Sequence, residues 1–198
     1  MRFRYIMLLS TLIVISNVMG QQYETQQYSV IEAIEGFEVR YYPPVMKIQS
    51  DNNFNALFGY ISGNNEGKTK IAMTTPVYMK NFKGQDIMEF VLPQSFNSKN
   101  APKPESSGVR LHESKAGYFL AIRFGGYARE RSKRIQTEKL IALAARHQLK
   151  TIGKPLLLVY HSPFRFLRRK NEMLFEIDYK KSLERETDFK HDLNSKKH

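Results

Sequence analysis

The chain has 198 residues, 41% hydrophobic and 12% aromatic, with 31 Lys and Arg against 19 Asp and Glu, a formal charge of +12. Such a composition buries a sizeable core and excludes a disordered chain, and the length points to one domain or at most two small ones. Zero cysteine excludes disulfides, thiolate metal centres, iron–sulfur clusters, a cysteine nucleophile and the usual lipid anchor of an exported bacterial protein.

Arg2 and Arg4 precede an apolar run from Tyr5 to about Val18, and Gly20 then stands before Gln21-Gln22. This is the pattern of a secretory signal peptide over residues 1–20. The run is short against the roughly 20 residues a bilayer needs; an uncleaved anchor is the alternative. An exported domain of this size without disulfides fits a bacterial periplasmic or secreted protein. Residues 21–29 are polar and read as a linker.

Phe37-Glu38-Val39-Arg40-Tyr41 alternates with period two, a half-buried strand. Pro43-Pro44 interrupts it, and Val45 to Ile48 resumes it. Asp51-Asn52-Asn53 offers N-caps for a helix with Phe54, Leu57, Phe58 and Ile61 on one face, stopped at Gly63. Residues 70–79 read as a strand with Pro76 at an edge or bulge, and 87–92 as another. Residues 93–108, with three prolines, form the longest loop. Val109 to Glu113 alternates, as do Tyr118, Leu120, Ile122 and Phe124 up to Gly125-Gly126. Residues 129–149 form a second helix with Leu140, Leu143, Ala144 and His147 on one face, stopped by Gly153 and Pro155. Leu156 to Tyr160 is a strand buried on both faces. Met173, Phe175, Ile177 and Tyr179 alternate in the last strand. Residues 180–198, with six basic and four acidic side chains, read as a charged tail.

The order is strand–helix–strand–strand, a linker strand, then strand–helix–strand–strand. It predicts one α+β domain over residues 30–179, internally duplicated, with helices packed on an antiparallel sheet.

Several motifs carry a resemblance. Phe37 to Pro44, Tyr60 to Asn65 leading into Lys70 to Val77, Phe90-Val91-Leu92-Pro93, Pro102-Lys103-Pro104, Phe124-Gly125-Gly126-Tyr127-Ala128, Tyr160-His161-Ser162-Pro163 and Arg168 to Glu172 resemble, in order, those of the SOUL haem-binding family. The resemblance covers about residues 28–179. It implies a distorted antiparallel β-barrel of two repeats with two flanking helices, a fold shared with small-molecule effector-binding domains. It implies non-catalytic binding of haem or another tetrapyrrole, for carriage or buffering. The alternative is another apolar or amphipathic small molecule on the same fold.

Tetrapyrrole binding needs a wide apolar surface and cations for propionates. Phe54, Leu57, Phe58 and Ile61 are the apolar candidates, joined by analogy with the family by Met73 and Tyr127; Arg129, in the basic cluster that opens the second helix, is the candidate for a propionate. Family members carry a proposed haem-ligand histidine where this chain has Tyr41. A phenolate ligates ferric haem but must first lose a proton of pKa about 10, so Tyr41 needs a cation nearby; Arg40 and Arg123 are the candidates. Packing is the other reading of Tyr41. Of the histidines, His112 falls on the solvent side of its strand, His147 ends the second helix, and His161 lies in a turn. No spacing forms a structural metal site. Glu172 is expected to pair with one of the arginines of the Arg165–Lys170 cluster. That cluster and Arg129 to Arg134 are solvated basic faces, or contacts to an anionic membrane.

Gly-x-Ser-x-Gly, Gly-x-x-x-x-Gly-Lys and Gly-x-Gly-x-x-Gly are all missing. An enzyme reading, as a tetrapyrrole-modifying activity, is remote. No nucleic-acid partner is expected despite the pI of 9.8, because no reader motif accompanies the charge. The sequence leaves the oligomeric state open.

Overall fold

The structure is a computed structural model that describes residues 23–165 and 167–179. The expected signal segment 1–20 and the expected tail 180–198 lie outside the described residues. Eleven strands and two helices are described. In chain order they are β1 (Glu24–Thr25), β2 (Ser29–Ile34), β3 (Phe37–Tyr42), β4 (Met46–Ser50), α1 (Phe54–Ile61), β5 (Thr74–Thr75), β6 (Val77–Phe82), β7 (Gln85–Val91), β8 (Arg110–Glu113), β9 (Gly117–Gly125), α2 (Glu130–Arg146), β10 (Thr151–Val159) and β11 (Lys170–Ile177).

Nine strands form one sheet in the order β2-β3-β9-β11-β10-β6-β7-β4-β8, with every pairing antiparallel. The duplication is visible in that order. Strand, helix, strand, strand runs β4-α1-β6-β7 in one half and β9-α2-β10-β11 in the other. In space the halves read β4-β7-β6 and β9-β11-β10, meeting at the β6–β10 pair. Each half is flanked by a strand from the other: β3 pairs with β9, and β8 with β4. This exchange makes the two halves one unit. The outermost strands β2 and β8 do not pair with each other, so the sheet is not the closed barrel that the resemblance implied.

Other expectations are corrected by the pairing. Pro43-Pro44 does not interrupt a single strand. It carries the chain from β3, near one end of the sheet, to β4, near the other. Gly153, at φ +69, and Pro155 do not end α2; they lie inside β10, where the register with β11 shifts between Ile152 and Leu156. A bulge tolerates both residues, whereas a regular ladder does not. From residue 23 on, the expected linker at 21–29 is also structured. β1 pairs in parallel with β5, and Gln26 is buried, accepting from the Tyr78 hydroxyl at 2.7 Å.

α1 starts as the sequence dictates: the Asn53 side chain accepts from the Ala56 N–H at 3.0 Å. It ends before Gly63, whose φ of +117 suits glycine alone. Its buried side chains are Leu57, Tyr60 and Ile61, a stripe rotated one position from the expected face. They pack with Met46, Ile48, Ile71, Phe90 and Leu92. α2 buries Leu140, Leu143 and Ala144 against Leu120, Ile122, Leu157, Met173 and Phe175. Both helices therefore cover the same face of the sheet, here called the outer face.

Candidate functional site

Directly opposed residues of paired strands share a face. On the inner face the alternation places Glu38, Arg40, Tyr42, Glu172, Tyr78, Glu89 and Lys47, and most of them are buried. Arg40 grips Glu172 in a bidentate pair at 2.8 and 3.2 Å, and Tyr160 donates to the same carboxylate at 2.6 Å. The guanidinium also reaches Glu38 at 2.6 Å and lies 4.2 Å above the Tyr28 ring. Arg123 and Lys170 complete the surround of Glu172 at 3.3 and 3.4 Å. Glu172 thus pairs chiefly with Arg40 from β3 and, of the Arg165–Lys170 cluster, with Lys170 and not with one of its arginines. Burial alone would raise its pKa; hydrogen bonds from Arg40 and Tyr160 reverse this and hold it at about 2.

A second buried cluster surrounds Glu89, which pairs with Lys80, with Lys47 at 3.4 Å and with His112 at 3.3 Å. His112 therefore faces this charge cluster, not solvent as its alternation suggested, because Lys47 stands directly opposite it. Burial pulls the Lys47 ammonium down to about 8 against the opposing effect of Glu89. The strap at residues 23–28 closes this face through Gln26 and Tyr28. The hollow beneath it, lined by Glu24, Gln26, Pro43, Val45 and Val91 among others, holds about 30 Å³. That is water-sized, far below the roughly 300–1,000 Å³ of a small-molecule pocket.

The outer face differs. Its pairings draw two apolar rows, Phe90–Val77–Val159 and Met88–Met79–Leu157–Met173. α1 covers the β4/β7 end and α2 the β9/β11 end. Between them, on β6 and β10, Val77, Met79 and Val159 are half-buried. On the α1 side, Phe54 and Phe58 are 45% and 49% exposed. Their rings stack nearly parallel, 5.8 Å apart and 13° off plane, and Phe54 sets its ring against Phe90 at 5.4 Å. The two phenylalanines thus leave the core stripe to Leu57 and Ile61 and stand at its flank.

The sequence candidates fall into three places. Phe54, Leu57, Phe58, Ile61 and the half-buried Met73 gather at α1, with Leu57 and Ile61 inside the core. Tyr127 and Arg129, both exposed, lie beside the start of α2; Arg129 is its N-cap residue and makes no side-chain cap bond. Four strand spacings, roughly 19 Å, separate Phe90 from Phe124, the β9 residue three positions before Tyr127. Tyr41 is further along the sheet, its ring 5.3 Å from Tyr118, which is 5.2 Å from Tyr179. The cations offered to it, Arg40 and Arg123, are on the inner face around Glu172. The structure does not bring Tyr41 to Phe54 and Phe58.

Sequence reasoning missed Val77, Met79 and Val159. Their alternation was legible, but the β6–β10 contact joins residues about 80 positions apart, and no local signal reports it. His161 follows β10, and burial with Arg165, Arg169 and Lys170 lowers its pKa, keeping the imidazole neutral. Among the described residues no group of three or more His, Asp or Glu is placed to hold a metal ion.

The outer face thus carries an apolar strip flanked by a stacked, half-exposed aromatic pair, and among the described residues no acidic side chain pairs with Arg129. Solved structures share the fold. The C-terminal domain of EcmrR aligns with TM-score 0.51 at 11% identity, covering 76% of this chain and 98% of that one. A structure described as a hydrolase from Listeria innocua aligns with TM-score 0.51 at 10% identity, covering 75% and 94%. At these identities the likeness is one of fold. No curated protein sequence matches the chain. A family model described as SOUL heme-binding protein matches residues 23–176, nearly every described residue. The chain therefore belongs to the SOUL heme-binding family, a family of non-catalytic binding proteins.

Proposed function

We propose that this protein binds haem or a related tetrapyrrole, non-covalently and without catalysis, on the outer face between α1 and α2. The observation that carries the reading is the Phe54–Phe58 pair, stacked and half-exposed beside the Val77–Met79–Val159 strip. Aromatic faces left in water are available to a flat apolar ligand, each gaining from burial and ring geometry. Arg129, the exposed N-cap residue of α2, is the cation assigned to a propionate. When bound, haem would supply its own iron chemistry; these residues hold and orient the ring. With the signal segment, the reading is of an exported carrier or buffer, periplasmic or secreted.

A second reading is favoured by one observation. The strip offers valine and methionine but no histidine, and Tyr41 packs elsewhere. Recognition then rests on the apolar face more than on the iron, and another apolar or amphipathic ligand is compatible with it.

Metal-free protoporphyrin tests the site without relying on the iron. In ¹⁵N-labelled protein it is expected to shift the amides of residues 54–61, 77–79 and 159. Shifts confined to the inner face around Arg40 and Lys47 would overturn the assignment.

A further inference from the structure

The loop joining β10 to β11 carries the two most exposed large apolar side chains among the described residues, Phe164 at 85% and Leu167 at 76%. No described residue covers them. They alternate with Arg165 and Arg168, both exposed. No Asp or Glu occurs between Glu138 and Glu172, and Glu172 is buried and already paired. The loop is held in shape from within. The Arg169 guanidinium is buried beneath it, donating to the carbonyls of Ser162 and Arg165 at 2.7 Å each and lying 4.5 Å from the Tyr127 ring centre. The Ser162 hydroxyl accepts from the Phe164 N–H at 3.3 Å, and Arg165 Nε donates to the Leu167 carbonyl at 3.2 Å.

An unbraced chain would fold two such side chains back onto the protein. Here one buried arginine fixes the backbone so that they stay out. Apolar tips ringed by cations, with no acid among them, match the two layers of an anionic bilayer surface: headgroups outside, acyl chains beneath.

We propose that the turn carrying Phe164, Arg165, Leu167 and Arg168 is a membrane-docking loop, with Phe164 and Leu167 entering the acyl boundary and Arg165 and Arg168 meeting anionic headgroups. The proposal stands independently of the ligand on the outer face.

The chain from residue 21, which keeps every described residue, is to be sedimented with vesicles of phosphatidylglycerol and phosphatidylcholine, and with phosphatidylcholine alone. Binding is expected to the anionic vesicles and at least tenfold less to the neutral ones. Phe164→Ser with Leu167→Ser keeps the charge and is expected to weaken binding at least tenfold, as is Arg165→Gln with Arg168→Gln. Because the chain has no tryptophan, Phe164→Trp is a single reporter. Its emission is expected to move to the blue on vesicle addition and to be quenched by acyl-brominated lipid. An unchanged affinity in the serine variant, or an unshifted and unquenched tryptophan, would overturn the proposal. So would loop-dependent binding to a soluble polyanion such as heparin without vesicle binding. Circular dichroism of each variant is the control for folding.

Discussion

Arg40 and Glu172 show how a buried charge is held in this protein. Their side chains are 2% and 0% exposed, and each is satisfied by further partners: Glu38 and Tyr42 on the arginine, Tyr160, Arg123 and Lys170 on the carboxylate. Removing one partner strands the other charge in a low-dielectric interior. Arg40→Met is therefore expected to cost about 3–5 kcal/mol in urea unfolding, and Arg40→Met with Glu172→Leu distinctly less, since no charge is left alone. Glu172 also sets a pH dependence. Its folded pKa of about 2 lies below the ordinary 4.5, so the unfolded chain binds more protons between those values. Stability is expected to be full above about pH 4.5 and to fall as pH drops toward 2. Glu89, also held below the usual carboxylate range by His112, Lys47 and Lys80 against its burial, acts in the same direction. Glu172→Gln should flatten part of that slope in acid unfolding curves. At this scale the sequence was readable in type but not in partner. Strand alternation placed Arg40 opposite in facing to Tyr41, yet the carboxylate it meets is 132 residues away.

At the scale of elements, α1 was the most legible part of the chain. Its N-cap, apolar spacing and glycine stop are all local, and local signals survive folding. What the spacing did not reveal is which of the apolar residues face the core. The sheet beneath selects Leu57, Tyr60 and Ile61, and Phe54 and Phe58 are left at the edge. Asn53→Ala removes the cap bond to Ala56 and is expected to cost about 1 kcal/mol of stability, read by thermal or urea unfolding. Most other strands were legible as strands, but β1 and β2 were not read at all, and β4 and β10 were misjudged at their ends. A proline pair can end a strand or carry the chain across a sheet, and a Gly-x-Pro can stop a helix or make a bulge. Only the pairing partners decide between these.

The whole molecule is two copies of one strand–helix–strand–strand unit joined through β6 and β10 and laced by the exchange of β3 and β8. The duplication and the α+β class were written in the order of elements. The openness of the sheet was not, because closure depends on whether β2 and β8 meet. The consequence for function lies in the two faces. The inner face is filled by its own ion pairs and capped by residues 23–28. The outer face keeps an apolar strip between two helices, at the junction of the halves where neither half alone could build it. The exposed residues 163–165, 167 and 168 stand beyond the end of β10, the strand that supplies part of that strip.

The central claim is that a tetrapyrrole binds this outer face against Phe54 and Phe58. Its most direct test is an absorbance titration of the chain from residue 21 with haemin, run beside Phe54→Asp with Phe58→Asp and beside Tyr41→Phe. We predict a saturable Soret shift at one equivalent, at least tenfold weaker in the double aspartate variant and unchanged in Tyr41→Phe. No saturable shift in the parent chain, or the same affinity in a folded double variant, would contradict the account.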